Sequence, residues 1–283
     1  MRAVTHPKQS IAITVVTLVM CLVFLVNFWI HLGATPANCL GLGLAVIFVL
    51  LVWLTRSATA PAAAAGGVIA ATLYLATVRQ PNGSLWHTAL LPLIALLLLT
   101  LLATRFRTHK KEQLGLAEAK TGRNAAQVCA NLGAAALSTV LLASVAVPSV
   151  PHTILLLTVT AAFVEATADT ISSEIGQAIQ GKTILLTNGK VVPPGTDGGL
   201  SIAGTLTGCA GGAAVAAVSG VCLGLTVEQG LFCWLAGMVG IFFDSWLGAT
   251  LERKQILGND AVNFLSTCFS TLLAIVFGRY CLH

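Results

Sequence analysis

Carboxylates are scarce in this chain. It has 10 Asp and Glu, and none precedes Glu112. In Glu165-Ala-Thr-Ala-Asp169-Thr-Ile-Ser-Ser-Glu174, Glu165 and Asp169 stand four residues apart, as do Thr170 and Glu174, so on a helix each pair shares a face. Two carboxylates one turn apart beside hydrocarbon repel unless a cation or a shared proton joins them. Mg²⁺ is the natural cation, because it takes oxygen ligands and is commonly held by one or two carboxylates together with substrate phosphates. The plain alternative is that Asp169 and Glu174 cap a helix end among lipid headgroups. A second acid-bearing stretch runs Gly237-Met-Val-Gly240, Asp244-Ser-Trp-Leu-Gly248, then Glu252-Arg-Lys254. Asp244 lies inside an apolar run, where an acid is a functional candidate by its position alone. Gly237 and Gly240 would let another helix approach closely and bring Asp244 beside Asp169.

Other polar signals are weaker alone. Pro193-Pro-Gly-Thr-Asp197-Gly198-Gly199-Leu-Ser201 is a glycine-rich loop opening a helix, a place where backbone N–H groups attract anions, although Ser201 could equally cap that helix. Arg123 abuts Asn124, Gln127 and Asn131, whose spacing of three and four makes one face of the following segment polar. Asn259, Asp260 and Asn263 open the last apolar run in the same way. The cations of 105–124 read first as an orientation signal that also touches anionic lipid. Gly204, Gly208, Gly212, Ala216, Gly220 and Gly224 recur every fourth residue, a ridge for tight helix packing. The 8 cysteines form no CxxC pair and sit in apolar runs, where Cys acts as a small hydrophobe.

The elements that must position these groups are membrane helices. The 283 residues are 56% hydrophobic and 9% charged, with mean hydropathy +0.89, against about 25% charged residues in soluble domains, which excludes a soluble enzyme. A net charge of +5 is too small to indicate nucleic acid. Runs of about 20 apolar residues predict an all-α polytopic bundle of nine spans, at 11–32, 37–54, 60–78, 86–104, 125–147, 152–174, 200–225, 228–249 and 260–281, in one integral membrane domain over 1–283. The first run is too long for an ordinary cleaved signal peptide. Trp29, Trp53 and Trp86 fall near expected ends, as an interfacial belt would place them. Of the 15 Lys and Arg, all but Arg79 and Arg279 fall on the side of the N-terminus. Basic loops stay inside, so the N-terminus and the loops 105–124, 175–199 and 250–259 are expected in the cytoplasm, the membrane being the cell's inner one. Most acids lie at that face, where nucleotides and magnesium are soluble.

Four stretches together resemble the integral-membrane family of plant phytyl-phosphate kinase: Gly122–Asn131, Asp169-Thr-Ile-Ser-Ser-Glu174, Asp197-Gly-Gly-Leu-Ser-Ile-Ala-Gly204, and Asp244-Ser-Trp-Leu-Gly-Ala249 with Asn259-Asp-Ala-Val-Asn263. The resemblance covers residues 56–275. It implies transfer of a phosphoryl group from CTP or ATP to an isoprenyl or phytyl monophosphate. On that reading Asp169, Glu174 and Asp244 hold Mg²⁺, while Arg123 and Lys254, with Lys182 a weaker candidate, neutralise phosphate oxygens. Asn131, Ser173, Gly198, Gly199, Ser201 and Asn263 complete the substrate and nucleotide site. The chain departs from the family pattern at Asp197, where Asn is usual, and at Glu252, where Gln is expected. Two rivals stand beside this reading: an ion-coupled secondary transporter built on Asp244 and Glu165, and a CTP-dependent polyprenol kinase or cytidylyltransferase. Neither the lipid chain nor the oligomeric state is fixed by sequence.

Overall fold

The computed structural model describes residues 6–78, 85–119, 121–144 and 152–281; Arg2, Arg79, Lys120 and the end of the fifth expected span lie outside them. The described chain forms α1 (Pro7–Leu32), α2 (Pro36–Leu54), α3 (Ala60–Thr77), α4 (Leu90–Arg105), a short polar α5 (Thr108–Gln113), α6 (Ala125–Ser144), α7 (His152–Ile179), α8 (Ile202–Leu223), α9 (Val227–Leu247) and α10 (Asn259–Cys281). Proline stands in the first turn of α1, α2 and α3, where its missing N–H would have no helical partner anyway. Thr226 and Gln229 close a reciprocal capping box on α9.

Among the described residues eight helices are long and apolar enough to cross a membrane. The fourth expected span is the exception. Leu85–His87 make a 3-10 turn, so α4 begins only at Leu90 and has 16 residues, about 24 Å of helix against a hydrocarbon core of about 30 Å. The helices differ sharply in what covers them. Only 17% of the apolar stretch of α1 is buried, against 94% of that of α7. Val15, Val19, Leu22, Val26 and Ile30 of α1 are exposed, a contiguous apolar face that needs lipid around it. α7 is the central post and packs against α4, α6, α8, α9 and α10.

Small residues set how closely the neighbours approach that post. A Cβ at Gly204 or Gly208 of α8 would run into the carbonyl oxygens of Ser172 or Ala168 on α7, and one at Gly212 would press on Val164. The four-residue ridge is therefore a contact face over its first half. Further along it is not: nothing lies within 4 Å of a Cβ at Gly220, and Gly224 instead ends α8 in the left-handed region at φ 69°. On α9, Gly237 meets Val164 and the Glu165 backbone, and Gly240 meets the side chains of Ser270 and Glu165, so α9 seats against both α7 and α10.

The region 175–199 is more ordered than a loop. α7 continues to Ile179, and Thr183–Leu185 (β1) then pairs antiparallel with Val191–Val192 (β2) on one side and Gly199–Ser201 (β3) on the other. β3 leads directly into α8, whose first turn is capped by Ser201 Oγ accepting from Gly204 N at 3.1 Å. Beyond Leu247, α9 widens into a π turn over Gly248–Glu252, a geometry common near functional sites.

Candidate functional site

The ends of α6, α7, α9 and α10, with the 193–201 segment, enclose a cavity of about 380 Å³. Arg123, Asn131, Asp169, Ser173, Glu174, Gly198, Gly199, Ser201, Asp244 and Asn263 all line it. Lys254 does not. It stands exposed on the turn after the π segment, as Lys182 stands exposed before β1, so neither is in the wall.

Each part of the wall has its own anchor. Arg123 N donates to Ser57 O at 3.0 Å and Thr59 N donates to Arg123 O at 2.9 Å. The crossing is close enough that a Cβ on Gly122, at φ 77°, would strike the Ser57 backbone. The guanidinium so placed lies 3.4 Å from Thr170 Oγ1 and 3.6 Å from Glu118 Oε1. Asn124 and Gln127 cap α6 reciprocally, at 3.0 and 2.8 Å, and Asn131 Nδ2 donates to Gln127 O at 2.8 Å. The glycine-rich segment is pressed onto the end of α9. Gly198 has φ 72°, and a Cβ there would collide with Ala249 N and Ser245 O. Asp244 accepts from Ser266 Oγ at 3.2 Å. One turn below Asp169, Glu165 is 1% exposed; Thr267 donates to its Oε2 at 2.6 Å, while Oε1 has no hydrogen-bond partner among the described residues.

Glu174 carries a feature that the sequence reading missed. Lys111 of α5 is wholly buried, forms an ion pair with Glu174 and donates to Thr104 O at 2.6 Å. Thr104 Oγ1 also donates to Glu174, at 3.3 Å. In the sequence Lys111 is one cation among several in 105–124, distinguished only by standing three residues before the turn at Leu114. Glu118, Thr170, Gln177, Asp197, Ser245 and Glu252 also line the cavity. Burial raises the Glu118 carboxyl above its ordinary range, against the opposing pull of Arg123. Burial likewise raises Asp197, opposed by Arg253.

Charge decides what this cavity can hold. Glu118, Asp169, Glu174, Asp197, Asp244 and Glu252 face it, with Arg123 the one cationic side chain in its described wall. Such a wall repels a phosphate unless a metal cation lies between them. The carboxylates share one wall, but among the described residues no group of three or more His, Cys, Asp or Glu is placed to hold a metal. Asp169, Glu174 and Asp244 therefore do not form the expected three-ligand set, and Glu174 is engaged by Lys111. Asp169 has no side-chain hydrogen-bond partner among the described residues, and Asp244 has Ser266 on one oxygen only. That leaves a donor set suited to Mg²⁺, which is often bound by one or two carboxylates and completed by phosphate oxygens.

The family described as Integral membrane protein DUF92 matches residues 43–271. An uncharacterised membrane protein of Synechocystis sp. is 36% identical over 176 residues, 61% of this chain and 67% of that protein. Protein VTE6, chloroplastic, of Arabidopsis thaliana is 32% identical over 185 residues, 64% of this chain and 55% of that protein. An uncharacterised membrane protein of Methanocaldococcus jannaschii is 38% identical over 116 residues, 41% of this chain and 48% of that protein. The chain thus spans about half to two thirds of the length of these relatives. No solved structure matches.

Proposed function

Because this chain belongs to the integral membrane family DUF92, we propose that it is a membrane-embedded kinase that transfers a phosphoryl group from CTP or ATP to an isoprenyl or phytyl monophosphate, giving the diphosphate. The observation that carries the reading is the cavity wall: several carboxylates and one guanidinium at the end of an apolar bundle. A site of that charge suits polyphosphate only together with divalent cations. The resemblance of its motifs to those of plant phytyl-phosphate kinase, and the kinship with VTE6, support the substrate class.

Asp169 and Asp244 would hold Mg²⁺, which when bound neutralises phosphate oxygens of donor and acceptor. Arg123, fixed through its backbone to residues 57–59, steadies the acceptor phosphate. An oxygen of the monophosphate attacks the terminal phosphorus of the nucleotide, the bond to the bridging oxygen breaks, and the nucleoside diphosphate leaves with that electron pair. A phosphate monoester is largely dianionic near neutral pH, so no strong base is required, and catalysis is chiefly positioning and charge stabilisation. The reaction takes place on the cytoplasmic side, to which the N-terminus belongs.

The test is purified protein in lipid vesicles with Mg²⁺, CTP or ATP, and farnesyl or phytyl monophosphate. The expected product is the diphosphate, formed when nucleotide reaches the face that carries the 175–199 segment. Well-folded protein that makes no diphosphate from any such pair contradicts the proposal. Glu165, one of whose buried oxygens has no hydrogen-bond partner among the described residues, favours a second reading as a cation-coupled carrier, which would show nucleotide-independent flux in the same vesicles.

A further inference from the structure

The kinase reading leaves the apolar part of the acceptor without a place; besides a hollow on α1 and α2 whose walls, Leu25, Val26, Trp29, Ile30 and Leu42, include no residue of the polar cavity, the structure offers two apolar hollows for it. The larger, about 550 Å³, is a groove on α8 and α9 lined by Gly220, Val221, Leu225 and Trp234 among others. On α9 its Trp234 stands seven residues from Ile241 of the polar cavity, about 10 Å at 1.5 Å per residue, but the groove shares no lining residue with that cavity. The smaller, about 60 Å³, lies between α2, α3, α4 and α6, with Phe48, Val52, Gly66, Leu93 and Leu96 in its wall. It shares Arg123 and Asn131 with the polar cavity. One guanidinium therefore stands where charged and apolar space meet, which is what a molecule with a phosphate head and a hydrocarbon body requires.

We infer that the crevice between α2, α3, α4 and α6 binds the first isoprene unit of the acceptor, with its phosphate held on Arg123. This rests on the proposed substrate class and deepens it. The crevice, about 60 Å³, is too small for a whole farnesyl chain and suits only the part next to the phosphate. The chain beyond that unit leaves between α2 and α4, because α2 packs on α3 while α4 packs chiefly on α7 and α8. Gly66 sets the width of the crevice. A Cβ there would lie 3.4 Å from the Phe48 ring, an ordinary contact, and a longer side chain would occupy the space of the ligand.

The experiment uses farnesyl monophosphate bearing a diazirine on its first isoprene unit, photolysed with the whole protein in nanodiscs and mapped by mass spectrometry. Adducts within 48–66 and 93–100, suppressed by excess unlabelled farnesyl monophosphate, are expected. Adducts within 213–234, or no suppressible labelling, would overturn the crevice assignment. In parallel, Gly66→Leu is expected to raise the KM for farnesyl monophosphate by about tenfold or more through the lost apolar burial, with a smaller rise for Gly66→Ala and the nucleotide KM unmoved. A protein that phosphorylates farnesyl monophosphate but labels on α8 and α9 defeats the crevice and spares the kinase. One that labels in the crevice without forming diphosphate supports the crevice and defeats the kinase.

Discussion

A charged amine sealed from water is stable only while its partners stay in place. Lys111 is in that position, held by Glu174 and by the carbonyl oxygens of Thr104 and Ala103. The pair fixes α5 against α7 and keeps one cavity carboxylate neutralised from behind. Removing one member of such a pair leaves the other charge buried and costs about 3–5 kcal/mol. Lys111→Met and Glu174→Met should each lower the unfolding free energy in detergent by about that amount, while the double substitution regains most of it. Purely additive losses in a double-mutant cycle would show that the two side chains are not coupled. Asp169 differs in having no side-chain hydrogen bond among the described residues, Arg123 being the one cation of the cavity wall.

At the scale of elements, glycine position decides which helices touch. Gly208 of α8 faces the Ala168 carbonyl, whereas Gly220 faces open space. Gly208→Leu should therefore prevent α8 from seating on α7 and abolish folded protein, seen as loss of the monodisperse peak in size-exclusion chromatography. Gly220→Leu should leave that peak unchanged; equal effects of the two would refute the packing argument. This contrast also shows what could be read in advance. A ridge of period four identifies a close-packing face, but not where along it the neighbour departs. Hydropathy placed the membrane helices because each apolar run is longer than a turn of noise. It overran at α4, where Trp86 to Ala89, less apolar than the leucines that follow, were counted into the span although the helix begins only at Leu90, after a 3-10 turn at Leu85–His87. The sheet was not legible: β1 to β3 are two or three residues each, and what makes them strands is their pairing with one another rather than any local alternation. The cavity residues were largely legible, because an acid, an amide or a glycine-rich turn is rare in so apolar a chain. Lys111 was hidden for the opposite reason, being one cation among several.

In the whole molecule, the lipid-facing helices and the chemistry are separated. α1 and α2 show broad exposed apolar faces, and six carboxylates with Arg123 line one cavity at the end of the buried α7. That arrangement suits an enzyme whose acceptor dissolves in the bilayer and whose donor dissolves in water. α1 is joined to the same end, Gln9 and Ser10 bonding to Ile256, Gly258 and Asp260, so the first helix braces the turn between α9 and α10. The central claim is that divalent cation joins this acidic wall to phosphate. It is tested most directly by titrating a non-hydrolysable CTP or ATP analogue into the protein and its Asp169→Asn and Asp244→Asn variants, with and without Mg²⁺. The account predicts nucleotide binding that requires Mg²⁺ and is weakened about tenfold or more in either variant, with both variants at least as thermally stable as the parent. Binding that is tight without Mg²⁺, or unchanged when either carboxylate is lost, would contradict it.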